Sequence, residues 1–254
     1  MTGSTMVALD IGNTTVSLGC FEGERLVSSD RIPAARAGDL ADLWPEAFPP
    51  LAELASVALV GCSVNPQVLG RVEGALAVHG GRLQLVERDL DIDIEARVRE
   101  PATVGADRLV NAREAYRRAG GPVMVVDFGT AVTLDCVSAD GAYVGGAIAP
   151  GVRLGAAALH EHTALLPSIG LVDDPPALAA DTVSAMQSGV FWGTVGGVRE
   201  LVRRLLAEQP PGTAVLATGG DAALFAPHVP EIQSVVPDLT LAGLSRIYRD
   251  AQAG

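Results

Sequence analysis

The chain has 254 residues, 48% of them hydrophobic and 19% charged, which is enough apolar material for one large core or two of ordinary size. Its net charge of −12 runs against the basic stripe of a nucleic-acid binder and against docking on anionic membranes. All 18 basic side chains are Arg; without Lys, P-loop kinase, protein-kinase and lysine Schiff-base chemistries are excluded.

In chain order, Val7–Asp10, Thr15–Phe21 and Arg25–Ile32 read as three successive strands, the last two joined through Glu22-Gly23-Glu24. A helix is expected over Gly38–Ala47, stopped by Pro49-Pro50. A buried strand follows at Ser56–Val60, then a helix from Pro66 to Val78, with Pro at a favourable early position. Arg82–Val86 reads as a strand and Ala106–Ala119 as a helix ended by Gly120-Gly121. The second half repeats the plan. Strands are expected at Val123–Asp127, Val132–Val137 and Tyr143–Ile148, with Asp140-Gly141 as a hairpin turn. Helices follow at Gly151–His162 and Asp181–Glu208, then a strand at Thr213–Ala217 and a last helix at Leu241–Ala251. This echo divides the chain near Gly120-Gly121, into domains 1–120 and 121–254.

Each half carries an acidic-Gly turn after an apolar run. The first is Asp10-Ile11-Gly12-Asn13-Thr14 and the second Asp127-Phe128-Gly129-Thr130-Ala131, 117 residues apart. A strand delivers an Asp to its end, Gly lets the backbone turn close to a ligand, and Asn, Thr and backbone N–H groups can bind phosphate oxygens. Three further clusters sit at strand or helix ends: Val104-Gly105-Ala106-Asp107-Arg108, Gly145-Gly146-Ala147-Ile148-Ala149-Pro150-Gly151 and Thr218-Gly219-Gly220-Asp221. Asp107 and Arg108 read either as a helix cap with its ion-pair partner or as a general base beside a cationic clamp. The two Gly-rich clusters read either as tight strand–helix connections or as close approaches to a ligand. Ligands in open α/β sheets sit outside the carboxyl ends of strands.

Cys20, Cys62 and Cys136 are widely spaced and odd in number, which matches neither a disulfide framework nor a zinc spacing. His160 and His162 flank Glu161 on different helix faces, so they read as a solvated helix end rather than a zinc site. The N-terminus MTGSTMVALD lacks a basic region followed by a long apolar one, and a cytoplasmic protein with no membrane span is expected.

The ordered set DIGNT, GADR, DFGTA, GGAIAPG, DTVSAMQSG and TGGDA, running from Asp10 to about Gly243, resembles the type III pantothenate kinases. The resemblance implies an α/β fold of the actin-like and sugar-kinase superfamily, with two ribonuclease-H-like domains and ATP in the cleft between them. It implies ATP-dependent phosphorylation of pantothenate at the start of coenzyme A synthesis. Mg²⁺, a monovalent cation (K⁺ or NH₄⁺) and a homodimer are implied with it. Carried over by motif, Asp10, Ile11, Gly12, Asn13, Thr14, Thr15, Val16 and Ser17 would form the first phosphate loop, and Thr130 would touch ATP. Asp107 would be the general base. Gly105, Ala106, Asp107, Arg108 and Thr182 would line the pantothenate site, and Asp127 would bind the monovalent cation. One departure stands out: the family's Tyr-x-Asn-Pro run before GADR is Val98-Arg99-Glu100-Pro101 here. A regulator that kept the fold without catalysis, a kinase of another small hydroxy acid and a phosphohydrolase are the rival readings.

Overall fold

The structure, a computed structural model, describes residues 5–253. In chain order its elements are β1 (Thr5–Ile11), β2 (Thr15–Glu22), β3 (Arg25–Pro33), β4 (Ala58–Ser63), α1 (Pro66–Ala77), β5 (Leu83–Leu85) and α2 (Ala106–Ala119). There follow β6 (Val123–Phe128), β7 (Ala131–Val137), β8 (Tyr143–Pro150), α3 (Val152–Glu161), α4 (Thr182–Ala207), β9 (Ala214–Thr218), α5 (Ala222–Phe225), β10 (Ser234–Val235) and α6 (Leu239–Ala253). No helix among the described residues is long and apolar enough to cross a membrane.

Two compact units result. Among the described residues, the first comprises 5–94, 99–114 and 238–253; the second comprises 95–98 and 115–237. The chain therefore does not divide at a single point near Gly120-Gly121. The change of unit falls inside α2, and α6, last in sequence, belongs to the first unit. The reason is packing: α6 lies on β1, β2 and β4, and it buries Leu239, Leu241, Leu244 and Ile247.

The first unit has a five-stranded sheet in the order β3-β2-β1-β4-β5. β1 pairs antiparallel with β2 and parallel with β4. Being central, β1 buries Met6, Val7, Ala8 and Leu9 in succession, as a strand covered on both faces must. Asn65 caps α1, its Oδ1 accepting from the backbone N–H groups of Gln67 and Val68 at 3.1 Å each, and Pro66 occupies the first turn, where a missing N–H costs nothing. The helix buries Val68, Val72 and Leu76 at a four-residue spacing against the sheet. The helix expected over 38–47 is absent. A 3₁₀ turn at Ala34–Asp39 stands before it, and irregular turns carry the chain to Pro49 and Pro50. Gly38 and Pro45 are poor helix residues, and Pro45 cuts the segment short, so Leu40, Leu43 and Trp44 reach the core from irregular turns. A second 3₁₀ turn, Leu51–Ser56, was not expected.

The second unit repeats the topology in the order β8-β7-β6-β9-β10. β6 takes the place of β1, pairing antiparallel with β7 and parallel with β9. Val123, Met124, Val125 and Val126 are all buried. Phe128, Phe191 and Phe225 pack ring to ring in the core, with centroids 5.2–5.6 Å apart. The two-residue β10 escaped the sequence reading because Ser234-Val235 is too short to show any period.

Candidate active site

In the first unit the acidic-Gly turn ends β1. Gly12 N–H donates to the Thr15 carbonyl at 3.0 Å, which closes the turn, and Val64 N–H donates to the Ile11 carbonyl at 3.2 Å, which stitches it to the end of β4. Asn65 Nδ2 donates to Asn13 Oδ1 at 3.0 Å, so the α1 cap also orients the turn. Asn13 and Thr14 are exposed at its tip, while Ile11 and Val16 anchor it in the core. Asp10 stands in register with Cys62 on β4 and with Ser17 on β2. The Cys62 thiol donates to Asp10 Oδ1 at 3.5 Å.

The Gly105–Arg108 segment opens α2 in the same unit. Asp107 Oδ1 accepts from the Arg108 N–H at 2.8 Å, so its carboxylate folds back toward the helix start. Gly105 makes room for it: a Cβ there would meet Asp107 Oδ1 at 2.5 Å and Val64 Cγ1 at 3.2 Å. Ala106 is buried and holds the first turn down. The negative charge suits a helix N-terminus.

These two segments feel one another. Burial, and then the Asp107 carboxylate, push the Asp10 carboxyl up to about 7, with the Cys62 bond and Arg31 acting in the opposite direction. Glu87, held at a φ of 68°, is also pushed up by burial and by Asp107. The Cys62 thiol is pushed well up by burial and by these carboxylates, so it is a protonated donor rather than a nucleophile. The first unit thus gathers Asp10 and Asp107 at strand and helix ends as a pair that repel. Such a place favours a positive group or a proton to be taken up.

In the second unit the turn after β6 is clamped from two sides. Gly151 N–H donates to the Thr130 carbonyl at 3.2 Å, and Asp221 N–H to the Phe128 carbonyl at 3.1 Å. A Cβ on Gly151 would run into the Thr130 and Gly129 carbonyl oxygens, and one on Gly219 into Asp127 Oδ1 and the Phe128 carbonyl. Gly219 also has a φ of +96°, a backbone that L side chains rarely adopt. Thr130 is exposed and Asp127 half-buried. Among the described residues no three His, Cys, Asp or Glu side chains converge as a metal site.

The model of the type III pantothenate kinases matches residues 6–204. The chain belongs to this family. It is a kinase. Among its relatives is a type III pantothenate kinase of Dehalococcoides mccartyi, 40% identical over 98% of each chain. One of Roseiflexus castenholzii is 39% identical over 96% of this chain and 98% of its own. One of Phenylobacterium zucineum is 37% identical over 98% and 99%. Solved structures share the fold at far lower identity. A Baf family transcriptional activator from Campylobacter jejuni has a TM-score of 0.60 at 17% identity, covering 98% of this chain and 100% of its own. The ethanolamine utilization protein EutJ from Carboxydothermus hydrogenoformans has 0.54 at 13%, covering 97% and 91%. The fold is the actin-like and sugar-kinase one, with a ribonuclease-H-like sheet in each unit.

Against the family motifs, the structure brings Asp10–Ser17 and Gly105–Arg108 into one unit. Asp127, Thr130 and Thr182 lie in the other. Thr182 is exposed in the first turn of α4, beside the cap Asp181, which accepts from Ser184 N–H at 3.0 Å and from Ser184 Oγ at 2.7 Å. Val98, where the family commonly has Tyr, belongs to the second unit: Arg97 N–H donates to the Tyr143 carbonyl at 2.8 Å, and Val98 Cγ1 lies 3.6 Å from where a Gly145 Cβ would stand. Cys62, Asn65 and Glu87 are the residues around the kinase motifs that sequence reasoning passed over. Asn65 before Pro66 carried a cap signal; Cys62 and Glu87 carried none, because strand pairing sets Cys62 beside Asp10 and the charge of Asp107 reaches Glu87 only through the fold.

Proposed function

We propose that this chain transfers the γ-phosphoryl group of ATP to the primary hydroxyl of pantothenate, giving 4′-phosphopantothenate and ADP. The observation that carries the reading is the Asp107 carboxylate, folded back over Gly105 beside Arg108 at the start of α2. Asp107 takes the hydroxyl proton as the acceptor oxygen bonds to the γ-phosphorus. The bond from that phosphorus to the bridging oxygen breaks, and ADP leaves with the electron pair. Catalysis here is chiefly positioning and charge neutralisation. Gly105, Ala106, Arg108 and Thr182 hold pantothenate in this reading, with Arg108 suited to its carboxylate. The Asp10–Ser17 turn and Thr130 hold the phosphates of ATP through side-chain and backbone donors. In a chain without Lys, neutralisation falls to Arg, backbone N–H groups and ions.

The donor set fits the ions the family implies. Asp10 and Asn13 offer the hard oxygens that Mg²⁺ prefers, at a point where two carboxylates repel. Mg²⁺ bound with ATP would supply neutralisation of the phosphate charge. Asp127 would hold K⁺ or NH₄⁺. We also propose a homodimer. Ile148 on edge strand β8 is 64% exposed, and Leu165 and Leu178 in the α3–α4 connection are 91% and 92% exposed; these are the apolar side chains a second copy would cover. The three cysteines are unbridged, which agrees with the reducing cytoplasm in which we place the reaction.

The test is ADP release and product formation with pantothenate, with other hydroxy acids and with water, in K⁺ and in Na⁺-only buffers. Pantothenate in K⁺ should give product, and Na⁺ alone should not. Asp107→Asn should keep its melting temperature and lose about 10²–10⁴ in turnover. Near-wild-type turnover in that variant removes the base role. Equal rates in Na⁺ and K⁺ remove the cation. Product from another hydroxy acid but not from pantothenate reassigns the acceptor.

A further inference from the structure

The second-unit turn is spanned by an ion pair. Gly151 binds one end of Phe128–Thr130 and Asp221 the other. Arg153, in the first turn of α3, reaches back so that its Nη2 lies 3.0 Å from Asp221 Oδ1. The pair therefore ties the two flanking segments across the turn. Its members are buried unequally: Asp221 is 15% exposed and Arg153 72%. In the three segments that build this place, 127–131, 149–155 and 217–223, the charged side chains are Asp127, Asp221 and Arg153. A polyphosphate approaching the turn meets two carboxylates and one guanidinium.

We infer that Arg153 is a polyphosphate-contacting residue of this turn, aimed by Asp221. The inference rests on the kinase reading above and adds a nucleotide contact outside the family motifs. A guanidinium presents five N–H donors in a planar fork, and the bond to Asp221 engages one nitrogen of it. The exposed remainder can meet phosphate oxygens with charge-assisted bonds. Asp221, fixed by its own backbone bond to Phe128, holds the fork over the turn before a nucleotide arrives, which reduces the ordering that binding would otherwise require. As a stability device the pair is weak, because an exposed ion pair contributes little to folding.

Calorimetric titration of the full chain with ATP and Mg²⁺, without acceptor, reads this contact directly. Arg153→Gln should weaken ATP binding roughly tenfold, the scale of one charge-assisted hydrogen bond. Arg153→Lys should recover part of the loss. The Gln variant should also show a shallower loss of affinity with rising salt. In steady state, the KM for ATP should rise while the KM for pantothenate and the melting temperature stay near wild type. Unchanged ATP affinity in Arg153→Gln overturns the inference, and a lowered melting temperature with unchanged affinity would make the pair a structural clasp only. Because the titration contains no acceptor, an error in the acceptor leaves this comparison intact. A wild-type chain that fails to bind ATP overturns both readings.

Discussion

Asp10 shows how one residue's position sets its chemistry. The end of β1 places its carboxyl in register with Cys62 and near Asp107, and burial with that second charge raises its pKa from 3.8 to about 7. The sign follows from proton binding. Between these two values the folded chain holds the proton more tightly than the unfolded chain does. Folding stability from this group is therefore fully present at low pH and is lost as pH rises toward 7. A tenfold difference in proton affinity between the two states corresponds to about 1.4 kcal/mol. Asp10→Asn mimics the protonated form, so without nucleotide it should gain on the wild type by roughly 2–3 kcal/mol more at pH 8 than at pH 5. Urea unfolding of both proteins at the two values measures this. An equal difference at both would show that Asp10 is already ionised at little cost. Asp10 was legible from its place after an apolar run; its raised pKa was not, because its burial and the Asp107 carboxylate reach it only through the fold.

At the scale of elements, the turns are shaped by what has no side chain. Gly151 and Gly155 stand one helical turn apart, yet they should answer oppositely to the same change. A Cβ on Gly151 meets the Thr130 carbonyl, and the Gly129 carbonyl at 2.5 Å, whereas one on Gly155 has nothing within 4 Å. Gly151→Ala should cost about 1–3 kcal/mol and displace the Thr130 turn, with a larger effect on activity than on folding. Gly155→Ala, inside α3, should be neutral or stabilising by about 0.5–1 kcal/mol. Denaturant midpoints and turnover of the two variants decide it; equal losses would mean that the helix start, rather than the turn, tolerates neither. The GGAIAPG run announced a strand-to-helix connection in the sequence. Which of its glycines is constrained by space was not readable, because the obstructing carbonyls come from a turn some 20 residues earlier.

For the whole molecule, the prediction concerns association. The 26.1 kDa chain should run as a particle of about 52 kDa by light scattering if the apolar residues at 148, 165 and 178 meet a second copy. Leu165→Glu with Leu178→Glu should shift it toward the monomer, since an apolar interface core does not accept unpaired charge. A monomeric wild type at micromolar concentration would remove the dimer from the proposal. Both substitutions fall on exposed positions, so a monomeric variant should keep its far-ultraviolet dichroism.

Local patterns in the sequence determined most strands, most helices, the duplication and the acidic-Gly turns, because period, caps and Gly or Pro signals act over a few residues. The absence of Lys decided by itself which phosphoryl-transfer designs were closed to this chain. Tertiary structure alone decided three things: that α6 completes the first unit, that β4 brings Cys62 and Asn65 to the Asp10 turn, and that Gly151 and Asp221 clamp the Asp127 turn from two sides. Each depends on contacts between residues far apart in the chain. Their partners are chosen by sheet pairing and shared burial, and those leave no mark in any short window of sequence.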